Sequence, residues 1–218
     1  MESRSSDSQT ADRLVVGIGD GGPDHYSAAL GLAARMSRQR DATITLVHGS
    51  LPRLSIATGG EAVERHLTRG LQVVDEAGVV LSAMVDPSTR ISLAAVPRTG
   101  VDALLHESQS AASLIMQRRS VSGVYRAFRG ATSHTVAAQA ACPVIIVRPD
   151  QFESDSKRGI VVGVAPNSGR RALETAVAEA AARKCPLTAV YVWNLQFSPT
   201  YGAQIKPDEE EVEDAARW

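Results

Sequence analysis

Two stretches of this chain begin in the same way. Leu14-Val15-Val16-Gly17-Ile18-Gly19 is echoed by Ile160-Val161-Val162-Gly163-Val164-Ala165, at an offset of 146 residues (160 minus 14). In each copy a loop, an alanine-rich helical stretch and a second apolar run follow. Those second runs are Ile44-Thr45-Leu46-Val47-His48 and Leu187-Thr188-Ala189-Val190-Tyr191, and their threonines stand at an offset of 143 (188 minus 45). A repeat this long is a duplicated domain, not a solenoid unit. The first copy continues to about residue 150. The second is expected to stop soon after its second strand, which makes it a partial copy.

Such a pattern needs an aliphatic core, and the composition supplies one: 44% of the 218 residues are hydrophobic but only 4% aromatic. With 23 basic and 24 acidic residues the net charge is −1, which argues against a general nucleic-acid surface. The apolar runs are strand-length, too short to span a membrane. Met1–Asp12 is polar, serine-rich and without a signal-peptide core, so it is expected to be a disordered tail. Cys142 and Cys185 fall one per repeat at different topological points and are read as buried thiols in a reducing compartment. The protein is expected to be cytoplasmic.

Apolar periodicity divides the first copy, residues 13–150, into alternating strands and helices. Arg13–Ile18 is a continuous apolar run before a Gly-rich turn, as in a strand buried on both faces. Asp24 is the expected N-cap of a helix reaching Gln39. Ala42–His48 is the second strand. From Gly60 to Met84 the residues Val63, Leu67, Leu71, Val74, Gly78 and Leu81 mark one face of a long helix. Strands over Arg90–Val96, Ser113–Met116 and Pro143–Val147 alternate with helices over Val101–Glu107 and Ala131–Ala141. Residues 151–158 read as a linker. A strand, a helix over Arg170–Lys184 and a strand over Leu187–Trp193 open the partial copy at 159–218, whose acidic stretch Asp208–Asp214 reads as a solvated helix start. Strands alternating with helices imply a parallel α/β sheet wound by right-handed crossovers.

Leu14–Gly17 with its turn, the Leu46-Val47-His48 strand end and Cys142-Pro143-Val144-Ile145-Ile146-Val147-Arg148 together resemble the universal stress protein family. The resemblance covers residues 13–150 and then the first strand–helix–strand of a tandem copy at 159–195. It implies a doubly wound, Rossmann-like parallel sheet of order 3-2-1-4-5, frequent dimerisation and a stress-linked regulatory role, with ATP bound in some members. The family's ATP binders carry a glycine, two residues, a second glycine, nine residues, then Gly-Ser or Gly-Thr. Glycines let backbone N–H groups approach phosphates, and a helix N-terminus adds a favourable dipole. Anchored on Gly130, that spacing places the first glycine at Gln117, the second at Ser120 and the hydroxyl residue at Ala131. Gly130 alone matches, and Gly123 stands at the wrong spacing. An acidic residue after the first strand would fall at Gly19 or Asp20, and the residue that meets adenine through its backbone would be Gly49.

The resemblance therefore implies a nucleotide site that has degenerated, in a non-enzymatic regulatory or interaction protein. Against this stand Arg118, Arg119, Arg126 and Arg129, which could hold an anion by side chain instead of by backbone. The alternative is a sensor of ATP or cyclic AMP. The candidate nucleotide set is Gly19, Asp20, Gly49, Arg118, Arg119, Ser120, Gly130, Ala131 and Thr132. A more distant alternative is an ATP-pyrophosphatase-like enzyme, from the faint likeness of Asp20-Gly21-Gly22-Pro23-Asp24 to a pyrophosphate-gripping loop; Pro23 and His25 interrupt it. The phosphorylatable aspartate and lysine of receiver domains have no counterpart at Val96-Pro97-Arg98 or Arg148-Pro149. Neither the five histidines nor the two cysteines stand at metal-ligand spacing. None of the serines lies in a nucleophile elbow. With no third to fifth strand read in the second copy, Pro143, Val144, Ile145, Ile146 and Val147 form an apolar edge expected to pair across a homodimer.

Overall fold

A computed structural model describes residues 13–52, 60–118, 131–149, 159–164 and 169–191. The chain divides into two compact units, Met1–Ser154 and Asp155–Trp218. In the first, β1 (Arg13–Gly17), α1 (Ser27–Arg40), β2 (Thr43–Leu51), α2 (Gly60–Ser82), β3 (Ile91–Thr99), α3 (Gly100–Ser108), β4 (Ser113–Gln117), α4 (Ala131–Gln139) and β5 (Val144–Val147) follow one another. All strand pairings are parallel, and the sheet order is β3-β2-β1-β4-β5.

The central strand shows why its sequence is a continuous apolar run. β1 pairs with both β2 and β4, and successive side chains point to opposite faces. Leu14 and Val16 join Ile44, Leu46, Ile115 and the apolar side of α1, with Val73, Ala77 and Leu81 of α2. Val15 joins Val47, Leu114 and Met116 beneath Val101, Ala103 and Leu104 of α3 and Val136 of α4. A strand with a core on each side has no position to leave polar. At its start Arg13 stitches three elements, donating to Thr45 Oγ1 at 3.1 Å and Ser110 Oγ at 2.6 Å and pairing with the Glu107 carboxylate.

Three local features depart from the sequence expectations. Asp24 does not cap α1. Pro23 fixes the backbone for a short 3-10 turn over Pro23–His25, and the helix begins only at Ser27 after Tyr26. The inward face of α2 holds Val74, Gly78 and Leu81 as expected and adds Gly70, Val73 and Ala77, but Leu71, expected on that face, is 49% exposed. Glycine lets the helix approach the sheet where Leu71 would hold it off, because a Cβ on Gly70 would sit 2.2 Å from Ser50 Oγ. Finally, β3 runs through Pro97 to Thr99 and passes directly into α3. Val96 lies opposite Gly49 and Thr99 opposite Leu51, so β3 carries an extra residue there. An edge strand tolerates proline and a bulge, since one side of its backbone faces no partner strand.

The second unit contains β6 (Ile160–Val164), α5 (Arg170–Arg183) and β7 (Leu187–Tyr191), a parallel pair with its crossover helix. Val162, Ala176 and Ala180 are buried, whereas Val161 is 68% exposed.

Candidate functional site

In an open sheet of this order, ligands bind outside the carboxyl ends of the strands where the winding reverses, here between β1 and β4. The loop after β1 is held in shape by its own atoms. Ile18 N–H donates to the Val47 carbonyl at 2.9 Å, and Gly21 and Gly22 take φ of 122° and 78°, a region that disfavours side chains. A Cβ on Gly21 would lie 2.0 Å from the His25 ring, whose Nδ1 is 3.1 Å from the Asp20 carbonyl.

Beside this loop stands the end of β2. His48 is buried, with Nδ1 2.9 Å from the Ile18 carbonyl. A carbonyl only accepts, so His48 donates through Nδ1 and turns its Nε2 the other way. That nitrogen lies 3.9 Å from a carboxylate oxygen of the exposed Asp20. Gly49 is packed against backbone, since a Cβ there would stand 2.6 Å from the Thr99–Gly100 peptide. Ser50 Oγ is buried with no hydrogen-bond partner among the described residues. His48, Ser50 and Asp20 thus lie close without forming a nucleophile–base pair: Nδ1 is committed to backbone, and Ser50 Oγ has no hydrogen-bond partner among the described residues.

On the other side of the crevice, Gln117 ends β4. Its Oε1 accepts from the N–H groups of Ala28 at 2.9 Å and Ala29 at 3.2 Å, and its Nε2 donates to the Asp24 carbonyl at 2.7 Å. These bonds cap α1, whose Tyr26 cap position supplies no side-chain bond and whose first turn has no acidic residue. The sequence marked Gln117 only as a misplaced glycine. Its bonding partners are 88 to 93 residues away, and no local pattern announces them.

The structure therefore brings Gly19, Asp20 and Gly49 to the carboxyl ends of β1 and β2. Arg118 follows β4, exposed, with its N–H donating to Val147 at 2.8 Å. Ala131 begins α4 and the half-buried Thr132 follows. Arg119, Ser120, Gly123, Arg126, Arg129 and Gly130 lie outside the described residues, as do the tail 1–12, the linker 151–158 and the acidic stretch 208–214. Among the described residues no cluster of three His, Cys, Asp or Glu side chains could hold a metal ion. Gln117 takes the first N–H pair of α1 and joins the end of β4 to the loop after β1.

Sheet order and parallel pairing define an open, doubly wound α/β protein. Within that class the chain belongs to the Universal stress protein family, whose model matches residues 10–148. It is 29% identical over 202 residues to a universal stress protein of Mycolicibacterium smegmatis, covering 85% of this chain and 66% of that relative's length. A universal stress protein of Archaeoglobus fulgidus DSM 4304 superposes with a TM-score of 0.65 at 15% identity, covering 84% of this chain and 68% of that one. A family member from Arabidopsis thaliana solved with AMP bound is 14% identical, with a TM-score of 0.45 over 66% of this chain and 96% of its own. Among the described residues no helix is long and apolar enough to cross a membrane.

Proposed function

We propose that this chain is a non-enzymatic regulatory or interaction protein whose nucleotide site is closed by its own side chains. One observation carries the proposal: the Gln117 carboxamide bridges β4 to the loop after β1 at the position where a ligand would enter. Where a nucleotide binder of the family would present glycine backbone, this chain presents a side chain with its hydrogen bonds already made. A homodimer through β5 and a cytoplasmic setting belong to the same proposal. Ile146 is 41% exposed on that edge strand, and Cys142 and Cys185 are free thiols.

The second reading, an adenine-nucleotide sensor, is favoured by one feature. Arg118 is exposed directly after β4, where a guanidinium could pair with a phosphate. Thermal unfolding with ATP, ADP, AMP or cyclic AMP in large excess separates the two. A ligand at a hundred times its dissociation constant adds about 2.7 kcal/mol. The closed site predicts no shift, and a clear shift overturns it. Release of phosphate or pyrophosphate from ATP would instead establish an enzyme.

A further inference from the structure

The two units repeat one strand–helix–strand arrangement in the same register. Leu14, Val15 and Val16 of β1 lie opposite Ile44, Thr45 and Leu46 of β2, as Ile160, Val161 and Val162 of β6 lie opposite Leu187, Thr188 and Ala189 of β7. Helices α1 and α5 each run 14 residues and end on a left-handed cap residue, Asp41 and Lys184. Positions in one unit can therefore be compared with those in the other. Val15, Gly17 and Val47 share the sheet face turned away from α1, and their counterparts are Val161, Gly163 and Val190. In the first unit α3 covers that face. Val15 and Val47 are fully buried beside Val101 and Leu104, and a Cβ on Gly17 would stand 3.0 Å from the Leu104 side chain. The glycine is a notch that receives the leucine. In the second unit the same face keeps both valines and the glycine, with no cover among the described residues. Val161 is 68% and Val190 38% exposed, and a Cβ on Gly163 would meet nothing within 4 Å. Helix α5 closes only the opposite face, where Val162 is buried with Ala176 and Ala180. A single exposed valine is ordinary, but two flanking an open glycine notch form a surface shaped for a side chain.

We propose that this face of β6 and β7 docks an amphipathic helix of a protein partner, which seats a leucine on Gly163 between Val161 and Val190. The chemistry of that helix is given by α3, where Val101, Leu104 and Leu105 stand at i, i+3 and i+4 and present one apolar stripe. The surface belongs to the second unit and is independent of the β1/β4 crevice. Its failure would leave the closed-site reading standing, and a nucleotide-dependent thermal shift would leave this surface standing.

The probe is a synthetic peptide of residues 99–109, added to the isotope-labelled full chain and followed by NMR. Ordering so short a helix costs affinity, so the peptide is taken to millimolar concentration. The methyl signals of Val161 and Val190 and the amide of Gly163 should shift, and a peptide carrying Leu104→Asp should leave them in place. In the protein, Gly163→Leu meets open space and keeps the fold, but it fills the notch and should weaken peptide binding at least tenfold. Binding indifferent to either substitution, or no shift at millimolar peptide, overturns the proposal. A soluble paramagnetic agent supplies a second measurement on the unaltered protein alone. It should broaden both valine methyls as strongly as other exposed side chains. Protection at every concentration would show that the chain covers its own face, and protection that grows with concentration would show that a second copy does; each overturns the partner helix.

Discussion

At Tyr26 the chain buries a phenol whose hydroxyl bonds to nothing among the described residues, although the ring is only 1% exposed. An orphaned buried hydroxyl costs roughly 1–3 kcal/mol, so Tyr26→Phe should leave stability unchanged or raise it by about 1 kcal/mol in urea unfolding. Burial, with a smaller contribution from Glu76, raises the Tyr26 pKa, and burial likewise raises that of the Cys142 thiol. In both cases the unfolded chain loses its proton first as pH rises. Stability should therefore be flat through neutral pH, then fall from about pH 9 as unfolded Cys142 ionises and again from about pH 10 with Tyr26. Unfolding measured from pH 7 to 11 checks the sign, and Tyr26→Phe should weaken the upper part of the fall. Gly49 presents the opposite problem, having no room for a methyl group. Gly49→Ala presses on the Thr99–Gly100 backbone and should cost about 1–3 kcal/mol. The sequence singled out Gly49 for a ligand contact, but only the packing of β3 and α3 reveals why glycine is needed there.

Among the elements, α2 owes its position to glycine. Gly70 rests on Ser50 and His48, and Gly78 rests on Leu93, so the helix approaches β2 and β3 through residues without side chains. Gly70→Ala should destabilise by about 1–3 kcal/mol in spite of alanine's better helix propensity. The double variant Gly70→Ala/Ser50→Gly removes the 2.2 Å clash, and recovery of part of the loss would show the two sites coupled. If both changes simply add, Ser50 is not what the new methyl meets. Apolar periodicity was enough to find this helix, because it records burial along one face. It placed Val74, Gly78 and Leu81 correctly and missed at Leu71, because a large apolar residue was counted as inward where the close approach is made by Gly70, which has no hydropathy signal. The start of α1 failed differently: Asp24 has the right chemistry for a cap, but Pro23 commits it to a 3-10 turn and a distant glutamine does the capping.

For the whole molecule, the proposed β5 interface sets the assembly. Sedimentation velocity at tens of micromolar should show a dimer, and Ile146→Asp, placing charge on the open edge strand, should return it to monomer. A monomeric parent at high micromolar concentration would end that proposal. The second unit shows on its own how little core a strand–helix–strand provides. Among its described residues three apolar side chains are buried, while Val161 and Val190 stay open to solvent.

The sequence by itself determined the alternation of strands and helices and the two-sided burial of β1, because burial periodicity is a local property that each segment carries. Strand order and family were readable through the resemblance of a few strand ends, and the sheet bears them out. Only the tertiary structure decided how the strand ends are packed. Gln117 meets α1 across the β1/β4 reversal, His48 bonds to Ile18, and Gly49 receives the backbone of α3. Each of these depends on segments far apart in the chain meeting at one end of a sheet, and no pattern confined to one segment specifies such a meeting.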